Sequence, residues 1–146
     1  MHLLPATTHS YLFRATESLS EAISADDVPS RYAMAHVAAL QAAAALIAAR
    51  TDPVEAASRA GRRRPWNAWV RLKKVAPELS EWADYFAAGA AKRAAAEAGS
   101  IRAVTPEEAY DQVRDADRFL AVVEESLGLM AHTSHVTRVQ PDRLVG

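Results

Sequence analysis

The stretch RYAMAH, residues 31–36, sets an arginine and a histidine five positions apart. Histidine ordinarily titrates close to neutrality, so it can take or give a proton at physiological pH. Arginine stays cationic and offers a planar fork of donors that fits phosphate oxygens in pairs. Arg31 and His36 therefore have the chemistry for acid–base work on a phosphate, with the guanidinium stabilising the charge that develops at phosphorus. Geometry sets a condition on that reading. Five residues of helix turn through about 500°, which leaves the two side chains about 140° apart. One copy of the chain does not aim both at a single phosphate, so a catalytic role needs a second copy. The competing assignment is structural. His36 shares a helical stripe with Tyr32 and Leu40, the setting of a core histidine bonded to a neighbour, and Arg31 stands within reach of Asp26 and Asp27.

A second group of candidates lies further along. From Arg59 to Lys74 the chain carries seven basic residues and no acid. Within this run Arg62, Arg63, Arg64, Arg71 and Lys74 are candidate phosphate contacts, and Trp66 offers a ring on which a base could stack. Tryptophans three apart, Trp66 and Trp69, also fit the core face of a helix, and the arginines fit pairing with an acidic helix. His132 and His135 form an H-x-x-H pair with neither a carboxylate nor a third histidine beside them, so no metal site is expected. Asp111, Asp115 and Asp117 alternate with Arg114 and Arg118, the pattern of a solvated, salt-bridged helix face. No phosphate-binding glycine loop, nucleophile elbow or dinucleotide fingerprint occurs, and no cofactor is expected.

The elements that must position these residues read as helices. The chain has 146 residues, half of them apolar, with a formal net charge of −1. That describes one globular domain, neither disordered nor coating nucleic acid through bulk charge. Without cysteine, disulfides and thiolate chemistry are excluded. The start has no basic leader followed by a long apolar run. The longest uninterrupted apolar run, AAAALIAA, falls well short of the roughly 18 residues a bilayer span needs. The expectation is a cytoplasmic protein that does not enter a membrane.

Leu12, Ala15, Leu19, Ala22 and Ile23 predict a first helix over about 10–25. Ser30 is the expected cap of a second, whose many small residues predict more than one covered face. TDPVEAASRAG predicts a short helix, and RRRPWNAWVRLKKVA a further one up to Pro77. PELSEWADYFAAGAAKRAAAEAG then restarts the pattern. TPEEAY opens the last helix with Thr105 as cap, Pro106 in the first turn and Glu108 completing a capping box, and Gly128 ends it. No segment alternates like a strand. The fold class is all-α, a single up-and-down bundle of about five helices.

The helix RYAMAHVAALQAAAALIAAR, the segment PWNAWVRLKKVAPELSEWADYFAAGAAKRAAAEAG and the helix TPEEAYDQVRDADRFLAVVEESLG together resemble an alanine-rich, actinobacterial branch of the HEPN domain family. The resemblance covers residues 8–128 and leaves 129–146 as a mobile C-terminal tail. It implies a bundle of four or five helices, often a homodimer. Many members are metal-independent endoribonucleases. Others are non-catalytic and bind nucleotides, RNA or a partner protein such as a nucleotidyltransferase. Catalytic members carry an arginine followed after four to six residues by a histidine, with two copies meeting across the dimer interface. Arg31 and His36 match that spacing. They differ from the family pattern in opening the second helix rather than a late one, and in the Tyr32 that follows the arginine. Ala38 stands where members silenced by a nucleotidyltransferase carry a tyrosine. The expected function is a non-catalytic, homodimeric HEPN-like domain that binds RNA, nucleotide or a partner protein. The alternative is an endoribonuclease built on Arg31 and His36.

Overall fold

A computed structural model describes residues 3–51 and 67–134. Among them the chain forms six α-helices and no strand: α1 (Ala6–Ser24), α2 (Val28–Arg50), α3 (Ala68–Val75), α4 (Ser80–Ala88), α5 (Ala90–Glu97) and α6 (Pro106–Ser126). A single 3-10 turn, Pro77–Leu79, joins α3 to α4. The fold is all-α, as expected, with six helices where about five were read. The extra one arises at Gly89, which caps the end of α4 and the start of α5 with a ψ of 1°. The apolar pattern from Pro77 to Gly99 predicts one helix, but Gly89 interrupts it. The short helix expected at TDPVEAASRAG lies outside the described residues.

Capping chemistry explains most of the boundaries. α2 starts before Ser30: Asp27 is its cap, with Oδ2 accepting the Ser30 N–H at 3.2 Å, and Pro29 sits in the first turn. Proline is tolerated there because a first-turn N–H has no partner within the helix to lose. α6 opens with the expected capping box, in which Thr105 Oγ1 accepts from the Glu108 N–H while Glu108 Oε1 accepts from the Thr105 N–H. It closes before Gly128, whose φ of +79° is the left-handed geometry that glycine reaches without strain.

α1 and α2 run antiparallel. Thr8 near the start of α1 donates to the Ala45 carbonyl late in α2, and Ser18 bonds to Gln41 between them. α2 is the centre of the bundle, touching α1, α3, α5 and α6. Its alanines bury on all sides, from Ala33 to Ala45, because a side chain of one carbon lets each neighbour come close without a void. By length and composition α2 is apolar enough to cross a membrane, and an 18-residue stretch of it has a mean hydropathy of 1.6. That corrects the expectation drawn from uninterrupted apolar runs, since a lone His36 or Gln41 hardly lowers the average. Of that stretch 67% is buried inside the bundle, as in a core helix.

The rest of the core mixes aliphatic side chains such as Leu19, Leu72, Leu120 and Val123 with a cluster of aromatic rings. Trp69 of α3 stacks on Phe86 of α4 at 5.2 Å between centroids, and Phe119 of α6 tilts against Phe86 at 5.3 Å. Trp82 also stacks on Phe86, at 6.0 Å. These rings close the bundle over one side of α2, and His36 lies among them.

Candidate functional site

His36 sits one turn past Tyr32 on α2, and the packing decides its surroundings. Only 1% of its surface is exposed. The imidazole meets Trp69 and Phe86 edge-on, with centroids 5.9 and 6.0 Å away. Gln112 of α6, also buried, donates from Nε2 to His36 Nδ1 at 3.3 Å. A neutral imidazole that accepts at Nδ1 carries its proton on Nε2. Burial penalises the imidazolium, and the Arg93 guanidinium adds repulsion, so the pKa is pushed down to about 4. At neutral pH the ring is uncharged. The structural assignment of His36, a core histidine bonded to a neighbour, describes this geometry.

Arg31 has other partners. Its Nε donates to the Ala22 carbonyl at 3.2 Å, and one terminal nitrogen donates to the Ala25 carbonyl at 2.6 Å. Both acceptors lie at the end of α1, where the Ala22 carbonyl also accepts from the capping Ala25 N–H at 3.3 Å. A cation there also meets the negative end of the helix dipole. The expected pairing with Asp26 or Asp27 gives way to these carbonyls, and the Asp27 carboxylate is used in capping α2. Within one bundle, then, Arg31 serves α1 while His36 serves the core between α3, α4 and α6. They do not share a ligand-facing surface.

The basic segment is described only in part. Arg62, Arg63, Arg64 and Trp66 lie outside the described residues. Arg71 is on the inner side of α3, 6% exposed, which takes it away from a solvent-facing phosphate surface. Lys74 is exposed at the end of α3, beside a Lys73 that pairs with Asp84 at 2.8 Å. Trp69, three residues after Trp66, is a core ring.

The acidic face of α6 divides. Arg114 bridges Asp111 at 3.3 Å and Asp115 at 3.4 Å, as the alternating charges suggested. Asp115 also accepts from the Tyr85 hydroxyl at 2.6 Å, and burial together with that bond pushes the phenol's pKa up. Asp117 departs from the expected face and is buried, because two residues past Asp115 it has turned about 200° around the helix. Its partner is His132, one of the two histidines of the H-x-x-H pair; His135 lies outside the described residues. Among the described residues no group of three or more His, Cys, Asp or Glu is arranged to hold a metal ion. Gln112 carries no motif in the sequence, and Asp117 reads there only as part of a solvated face. Their signal was faint: each is a polar residue beside the buried stripe of Ala109, Val113 and Ala116.

The model of the SAV_6107-like HEPN family matches residues 22–124 of the chain. That stretch runs from the end of α1 to the last turns of α6 and contains both Arg31 and His36. No curated protein and no solved structure matches the chain.

Proposed function

The chain belongs to the HEPN family, whose model spans most of its length, and we propose that it is a non-catalytic, homodimeric binding domain with RNA or nucleotide as its ligand class. The enclosure of His36 carries this reading. A general base must come within hydrogen-bond reach of the proton it takes. His36 is sealed between ring edges, its Nδ1 is engaged by Gln112, and the fork of Arg31 is occupied by α1 carbonyls. The ligand class is favoured by the acid-free run from Arg59 to Lys74, in which Arg59, Arg62, Arg63, Arg64 and Lys74 remain candidate phosphate contacts while Arg71 is buried and Lys73 pairs with Asp84. Such a run binds phosphates through counterion release and so binds in a salt-dependent way.

The test is incubation of labelled structured RNA in EDTA, reading binding by fluorescence anisotropy and cleavage on a gel. Sedimentation equilibrium of the same samples reports the dimer. The wild type should bind RNA with an affinity that falls as salt rises, and return it intact. A triple variant, Arg62→Glu, Arg63→Glu and Arg64→Glu, should bind at least about tenfold more weakly, since several phosphate contacts are reversed at once. EDTA-resistant cleavage by the wild type that is lost in His36→Gln would replace this reading with a metal-independent endoribonuclease. A folded dimer that binds neither RNA nor nucleotide would move the ligand to a partner protein.

A further inference from the structure

We infer that residues 129–134 form a proton-dependent strap, closed against α6 by an imidazolium of His132 held between Asp117 and Glu124. After Gly128 the chain doubles back, and the Leu129 N–H returns to the Glu124 carbonyl at 2.9 Å. Asp117 and Glu124 are seven residues apart, two turns of helix, and so present their carboxylates on one face of α6. His132 sits across that gap. Its Nε2 lies 2.7 Å from Asp117 Oδ1 and its Nδ1 2.5 Å from Glu124 Oε1. The His132 backbone N–H also donates to Glu124 Oε1 at 3.2 Å, and Ser134 Oγ donates to Asp117 Oδ2 at 2.8 Å.

This arrangement needs the cation. A neutral imidazole has one N–H, so one of the two carboxylates would face a nitrogen lone pair; the imidazolium donates to both. Asp117 adds a second reason, being 3% exposed, since a buried carboxylate is tolerated only when paired. Among the described residues, the charged groups facing His132 are these two carboxylates, both from α6. Burial alone would lower the ring's pKa, but the bonds to Glu124 and Asp117 outweigh it and raise the value. A raised pKa means that the closed strap is at full strength below the unfolded value of about 6.5. It weakens as pH rises through the folded value. Opening uncovers the Asp117 carboxylate. The inference does not depend on what ligand the domain binds.

The chain has no cysteine, so a single one can be introduced for labelling. Met130 is 93% exposed within the strap, and Met130→Cys in the full chain accepts a spin label without touching the core. Its EPR line shape is followed from about pH 5.5 to 9, with circular dichroism on the same samples and an NMR titration of the His132 ring in the unlabelled protein. The expected result is a restricted label that becomes mobile in a one-proton transition, its midpoint above about 6.5 and equal to that of the ring, with helix content constant. Glu124→Gln should move the midpoint down. A label whose mobility does not change, a ring that titrates at or below 6.5, or mobility that appears only with loss of helix would each overturn the strap.

Discussion

Charging a histidine that is walled in by aromatic rings means opening the core or leaving a cation among them. For His36 this gives a pH dependence of definite sign. Its pKa in the fold is about 4, below the unfolded value of about 6.5. The stabilisation is therefore fully present above about 6.5 and is lost as pH falls toward 4, with a ceiling of about 3 kcal/mol. Urea denaturation at pH 7 and pH 4.5 should show the wild type losing more stability than His36→Leu, which cannot titrate. At Arg31 the expected loss is of another kind. Arg31→Ala leaves the Ala22 and Ala25 carbonyls without their cationic donor and should cost about 2 kcal/mol in the same urea experiment, with Arg31→Lys in between. The spacing of the pair was legible from residue types alone. What each side chain would bond was not, because Gln112 is 76 residues from His36 and the surrounding rings come from α3 and α4.

Helix ends were more legible than helix continuity, for a local reason. A cap is decided by three or four neighbouring residues, so the Thr105–Glu108 box and the stop at Gly128 could be read directly. The glycine at the α4–α5 break meets a constraint from across the bundle. A Cβ placed there would come within 2.8 Å of the Tyr32 hydroxyl of α2. Gly89→Ala should accordingly destabilise by about 1–3 kcal/mol through overpacking, even though alanine is the better helix former. The loss should be smaller in a Tyr32→Phe background, and thermal melts of the double-mutant cycle would measure that coupling. Thr105→Ala should cost about 1 kcal/mol, the usual worth of a lost cap.

For the whole molecule, the two histidines set limits on opposite sides. His36 withdraws stability as pH falls below about 6.5, and His132, its pKa raised by Glu124 and Asp117, withdraws it as pH rises through its folded value. The free energy of unfolding measured across pH should peak near the unfolded histidine value of about 6.5. The all-α class followed from helical periodicity and from alanine, which favours the helix and permits close packing. The hydropathy of α2 needed the bundle for its meaning, since only packing distinguishes a core helix from a span. The docking of 129–134 on α6 had no periodic signature, because a few polar bonds hold it rather than an apolar stripe. On the proposed function, the bundle keeps the histidine of the R-x4-H pair away from any phosphate. An NMR titration of the His36 ring in the intact protein, with and without structured RNA, tests it most directly. The expected midpoint lies near pH 4 and does not move with RNA. A midpoint at or above about 6.5, or one that shifts when RNA is added, would contradict it and return His36 to the role of a working base.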